Sequence, residues 1–122
     1  MRALVLVALL LAGLPALAAT RFLTGSEDVP LMDGLAEVAD TSTIFDTPGG
    51  RIVEVDARGA VAAADILRFY AESLPALGWV ADPVGENASL TFRRGAEILV
   101  ITIMGEPGAG GVVRFNLRPR AS

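Results

Sequence analysis

The 122-residue chain has no cysteine, no histidine and no lysine, so its ten cationic side chains are all arginine. Without cysteine there are no disulfides, iron–sulfur clusters, thiolate zinc sites or thiol nucleophiles. Without histidine, serine–histidine triads, imidazole bases and histidine metal ligands are excluded. Without lysine, Schiff-base chemistry and a phosphate-loop lysine are excluded. Aromatic residues make up only 6% of the chain: five phenylalanines, one tyrosine and one tryptophan. Charged residues are 20% and hydrophobic residues 52%, with a mean hydropathy of +0.54, too apolar for a disordered chain. The length is too small for two ordinary domains. Such a chain holds little catalytic equipment and calls for no cofactor and no metal.

Residues 1–19 read MRALVLVALLLAGLPALAA. Arg2 opens the segment, Ala3 to Leu14 is unbroken apolar sequence, and Pro15 ends it. Ala16 and Ala18 then provide small residues two apart. This is the order of a secretory signal peptide, with cleavage expected after Ala18. The apolar run falls short of the ~20 residues of a membrane span, so an uncleaved anchor is the lesser alternative. The mature chain loses Arg2, and its formal net charge goes from −4 to −5. An acidic domain has no electrostatic reason to bind nucleic acid or an anionic membrane. The lack of cysteine in an exported chain favours a bacterial periplasm. The glycosylation pattern Asn87-Ala88-Ser89 then reads as a chance match in a loop.

Residues 19–43 read as an acidic extended arm, with Glu27, Asp28, Asp33, Glu37 and Asp40 exposed and Val29, Leu31, Met32 and Leu35 as apolar anchors. A single α+β domain is expected over 44–118, followed by a polar tail at 119–122. Ile44-Phe45 and the alternating stretch Ile52–Ala57 flank Thr47-Pro48-Gly49-Gly50 and predict a hairpin, Val53, Val55 and Ala57 facing inward. In residues 61–77 the spacing of Ile66, Phe69, Tyr70, Leu74 and Leu77 predicts an amphipathic helix. Asp65 lies near its start, Arg68 and Glu72 are placed to pair, Pro75 disturbs the last turn, and Gly78 fits a left-handed cap.

Short strands are expected at Trp79–Ala81, Ser89–Arg93, Glu97–Met104 and Val113–Leu117, with a turn-rich gap at Pro83–Asn87, a tight turn at Arg94-Gly95 and a glycine-rich hairpin loop at Glu106–Gly111. In 97–104, Leu99, Ile101 and Ile103 face one side and Ile98, Val100, Thr102 and Met104 the other. Both sides are apolar, which points to a central strand with the arm or a partner on its second face. The expected fold is one amphipathic helix packed on an antiparallel sheet of about five or six short strands. Phe69, Tyr70, Trp79, Phe92, Leu99, Ile101 and Phe115 are its expected core.

No strong catalytic motif is present. The segment GEPGAGG at 105–111 lacks the following helix that a phosphate loop needs. Glu54 and Asp56 share a strand face about 7 Å apart, and read as a solvated face. The charge distribution carries more information. Residues 27–56 hold eight carboxylates and Arg51 alone, whereas Arg93, Arg94, Arg114, Arg118 and Arg120 cluster near the C-terminus. Either the acidic arm lies against these arginines, or they form a patch for an anionic partner.

The stretch Phe69-Tyr70, Leu74-Pro75-Ala76-Leu77-Gly78-Trp79, then Leu90-Thr91-Phe92-Arg93 and the 98–103 strand, resembles small exported bacterial proteins of unknown function. In these a helix ending in Leu-Gly-Trp leads into a β-meander. In outline it is similar to helix-on-sheet domains of outer-membrane-assembly lipoproteins, though this chain lacks their lipidated cysteine and no functional residue carries over. The resemblance implies an exported α+β domain.

The reading that follows is a periplasmic or secreted non-enzymatic domain, a protein-interaction module whose partner is another periplasmic or envelope protein. Its candidate surface comprises Arg93, Arg94, Arg114, Arg118, Ile98, Val100 and Met104, uncovered if the arm is displaced. The alternatives are a carrier of a small apolar or anionic ligand, which needs an enclosed cavity, and a carboxylate-based hydrolase.

Overall fold

The computed structural model describes residues 21–82 and 89–120. The expected signal peptide, its cleavage site, the gap at Pro83–Asn87, most of the Asn87-Ala88-Ser89 pattern and the last two residues of the tail lie outside these. Among the described residues the elements run β1 (Ala36–Glu37), β2 (Thr43–Thr47), β3 (Gly50–Arg58), α1 (Ala63–Ala76), β4 (Val80–Ala81), β5 (Ser89–Arg94), β6 (Glu97–Met104) and β7 (Val112–Pro119). All pairings are antiparallel in one sheet ordered β1-β3-β7-β6-β5-β4, with β2 also paired to β3. The α+β architecture has seven strands rather than five or six. The additional strand is β1, whose two residues are too few to show a period in sequence.

The core face of the sheet follows from alternation. Val53, Val55 and Ala57 of β3, Val113, Phe115 and Leu117 of β7, Leu99, Ile101 and Ile103 of β6 and Phe92 of β5 are all buried. Register aligns them: Val55 opposite Phe115, Phe115 opposite Ile101, Leu99 opposite Phe92. Helix α1 buries Ile66, Tyr70 and Leu74 against this face. Tyr70 meets Phe115 edge-on at 5.3 Å between ring centroids and Phe69 at 4.9 Å.

Several local expectations shift. Phe69 packs on the core only partly buried, and Leu77 is exposed because the helix ends at Ala76, before the spacing returns to the inner face. Pro75 stays inside the last helical turn, where its side chain is on the exposed side. Gly78 takes the left-handed conformation, φ +91°. Arg68 reaches back to Asp65 at 3.5 Å rather than forward to Glu72. The β5–β6 turn is carried by Gly95-Ala96 between the paired Arg94 and Glu97, one residue later than expected.

The segment before β1 is built into the core. Leu23, Val29, Leu31 and Leu35 are buried with the helix and sheet residues. A tight fold closes on Leu23 N–H to Val29 O at 2.9 Å and Leu31 N–H to Arg21 O at 2.7 Å. Its anchoring is polar as well: the Tyr70 hydroxyl donates to Pro30 O (2.8 Å) and accepts from Met32 N–H (3.1 Å), and Trp79 Nε1–H donates to Asp28 O (3.1 Å). At Gly59 the chain passes so close to Gly34 that any Cβ would overlap the Gly34 carbonyl oxygen. The arm therefore occupies the helix side of the sheet, beside α1, and leaves the second face of β6 uncovered. Of the two occupants considered for that face, the arm is therefore excluded, and removing it would open the core rather than uncover Ile98, Val100 and Met104.

Candidate functional site

The same alternation that buries one face directs Ile52, Glu54, Asp56 and Arg58 of β3, Arg114, Asn116 and Arg118 of β7, Ile98, Val100, Thr102 and Met104 of β6, and Thr91 and Arg93 of β5 to the other. Of these, Asp56 is buried, held by Arg114. Ile98, Val100 and Thr102 are half-buried, and Met104 is exposed.

Register places one row across the strands. Phe45 is opposite Ile52, Arg118 opposite Ile98, Ile98 opposite Arg93, and Arg93 opposite Val80. Apolar and cationic side chains thus alternate across the face. Arg93 and Arg118 stand on either side of Ile98, about 10 Å apart at two strand spacings. Phe45 and Val80 are 59% and 60% exposed, unusually open for large apolar side chains.

On β3 and β7 the next two rows, Glu54 with Asn116 and Asp56 with Arg114, are polar and satisfied. Arg114 donates through Nε and Nη2 to both oxygens of Asp56, at 2.8 and 3.0 Å, and its Nε is 3.4 Å from Glu54 Oε1. The hydrogen bonds from Arg114 to Asp56 raise the arginine pKa above its ordinary value, with the charge attraction adding to it. Asn116 donates to Glu54 Oε2 at 3.2 Å and accepts from Arg118 Nη1 at 3.1 Å. The Glu54–Asp56 pair is therefore committed to Arg114. Among the described residues no three carboxylates converge into a metal site.

Of the seven candidate surface residues, the structure brings six onto this face: Arg93, Arg114, Arg118, Ile98, Val100 and Met104. Arg94 falls on the opposite one, since its neighbour Arg93 takes the outer position. It forms an ion pair with Asp28 at 2.6 Å and with Glu97 at 3.4 Å, and lies 4.9 Å over the Trp79 ring. Its hydrogen bond lowers the Asp28 pKa below the ordinary carboxylate value. Among the described residues this is the one ion pair linking the acidic arm to the C-terminal arginines, and Arg114 turns to β3 instead. Arg93 and Arg118 make no ion pair among the described residues.

Phe45, Ile52 and Val80 belong to the face but were not among the candidates. Their signal is register, which a single strand's pattern does not reveal. A shallow open pocket of about 430 Å³ lies elsewhere, lined in part by Phe22, Ser26, Asp28, Arg51 and Glu97. The interior between helix and sheet is occupied by Tyr70, Phe92, Leu99, Ile101 and Phe115, each at most 1% exposed.

Comparison with protein-family models, with curated proteins and with solved structures returned no match.

Proposed function

We propose that this chain is an exported, non-enzymatic interaction module of the bacterial periplasm or cell exterior, delivered by a signal peptide cleaved after Ala18. Its outer sheet face docks another envelope protein. The observation that carries this reading is the pair Arg93 and Arg118, which have no carboxylate partner among the described residues and flank Ile98, on a face with Val100, Met104, Phe45 and Val80. A cation left unpaired on a partly apolar face is suited to an acidic, apolar-centred partner surface. Arg58, Arg93, Arg114 and Arg118 oppose Glu54 and Asp56 there, which gives this face a positive bias on an otherwise acidic chain. The carrier reading has less support, because the space it needs is filled by core side chains.

The test is affinity capture from envelope extract with the wild type and with the double variant Arg93→Glu/Arg118→Glu. The reading expects the same partner to be retained by the wild type and lost from the variant, whose melting temperature stays within about 2–4 °C, as exposed charge changes cost little stability. Equal retention by both contradicts it. Mass spectrometry of the recovered protein tests the export step, and an intact Met1 contradicts it.

A further inference from the structure

A different feature, the free edge of β2, carries an inference that does not rest on the outer face. Each of the five residues Thr43-Ile44-Phe45-Asp46-Thr47 is exposed. β2 pairs with β3 on one side, and no backbone hydrogen bond of the described residues leaves it on the other. The opposite edge of the sheet is shorter: β4 has two residues, and Asp82 N–H extends its cover to Thr91 O at 2.8 Å.

The hairpin fixes which amides are free. Its two-residue loop, Pro48-Gly49, closes on the pair Thr47–Gly50, a hydrogen-bonded position. Alternation along an antiparallel ladder then bonds Thr43, Phe45 and Thr47 to β3 and turns the N–H and C=O of Ile44 and Asp46 outward. Edge strands commonly carry a charge that discourages pairing. Here that charge is already answered, because Asp46 Oδ1 accepts from Arg51 Nε at 2.8 Å on its own chain.

We propose that β2 pairs antiparallel with β2 of a second copy, on a two-fold axis through Phe45. The sequence of the edge selects this register. It sets Ile44 opposite Asp46 of the partner copy twice, so that all four outward groups on each chain are used in four hydrogen bonds. It sets Thr43 opposite Thr47, and Phe45 opposite itself in a non-hydrogen-bonded pair, where side chains are closest. Shifting the axis to Asp46 would face two carboxylates. Shifting it to Ile44 would separate the phenylalanines. Pro48, which has no N–H, ends the ladder. The pairing would join two seven-stranded sheets into one, with the outer faces continuous across the two Phe45 rings. Five residues form a small contact against the ~1,600 Å² of a standard interface, so the dimer is reversible and concentration-dependent.

The test is sedimentation of the full protein recovered from expressing cells, over a dilution series, with two sets of variants. Asp46→Pro removes an outward donor while leaving the β2–β3 ladder bonds in place, and Asp46→Ala removes the carboxylate but keeps the amide. The wild type and Asp46→Ala should associate to twice the chain mass at high concentration. Asp46→Pro should stay monomeric with an unchanged circular dichroism spectrum. Because the chain has no cysteine, Phe45→Cys and Thr43→Cys each introduce a single thiol. Mild oxidation should link Phe45→Cys chains at least tenfold faster than Thr43→Cys chains, since only position 45 faces itself across strands within disulfide reach. A wild type that is monomeric at every concentration, or equal cross-linking at 43 and 45, overturns the proposal. If Asp46→Pro unfolds, the cysteine pair decides alone.

Discussion

The hydroxyl of Tyr70 on the helix donates to the carbonyl oxygen of Pro30 at 2.8 Å, and the hydroxyl oxygen itself accepts from the Met32 amide at 3.1 Å. One buried side chain thereby fixes the N-terminal segment to the domain. Tyr70→Phe keeps the ring and leaves the Pro30 carbonyl and Met32 N–H without their partner. The expected loss is about 1–3 kcal/mol, the cost of buried polar groups left unpaired. Hydrogen exchange should show the loss first in residues 29–35, and global unfolding by denaturant gives its size. A variant as stable as the wild type would contradict this anchoring.

Tyr70 also sets the alkaline limit. Burial pushes its pKa well above the ordinary tyrosine value. The folded state therefore holds the proton more tightly than the unfolded state. Stability contributed by the neutral hydroxyl is complete below about pH 10 and falls as pH rises above it, by up to about 1.4 kcal/mol per unit. As the only tyrosine in the chain, its phenolate absorbance is assigned without ambiguity. That absorbance should rise together with unfolding, not before it, and Tyr70→Phe should flatten the alkaline branch.

At the acid end, Arg94 holds the Asp28 pKa below its ordinary value chiefly through their hydrogen bond. Here the unfolded state binds the proton more tightly. The contribution is present above the ordinary Asp value of about 4 and is lost as pH falls through the lower folded pKa. The Asp28 side chain is half exposed, so solvent screening keeps the effect small. Asp28→Asn should reduce the slope of stability against pH below about 4 and leave stability near neutral pH within about 1 kcal/mol.

Core substitutions should rank by burial. Phe115 is fully buried beneath Tyr70, whereas Phe69 is only partly covered. Phe115→Ala is expected to cost about 3–5 kcal/mol, enough to unfold a marginal domain, and Phe69→Ala clearly less. Equal losses would contradict the position of the helix.

The helix was legible because Ile66, Tyr70 and Leu74 keep a helical period, and β3, β6 and β7 because their alternation is long. The arm was legible in part: Val29, Leu31 and Leu35 read as anchors and are buried, but without a period they do not show which side of the sheet they anchor to. The two apolar sides of β6 were read correctly as a pattern, and Leu99 and Ile101 as its core side, but the pattern alone did not place the arm on the helix side. Ile98 and Val100 are half-buried on the side away from the helix. Alternation along the strand separates Arg93 from Arg94. Adjacent in sequence, they stand on opposite faces, Arg93 exposed and without an ion pair among the described residues, Arg94 tied to Asp28 and Trp79.

A partner held by the outer face, and not by the helix side, leaves a position-specific trace. Photo-crosslinking in living cells reads that trace most directly, with a photoreactive residue at Val100 on the outer face or at Glu72 on the exposed side of α1. The account expects a discrete adduct from position 100, no adduct of the same mass from position 72, and loss of the former in the Arg93→Glu/Arg118→Glu background. The same adduct from position 72, or one from position 100 that survives the charge reversal, would contradict it.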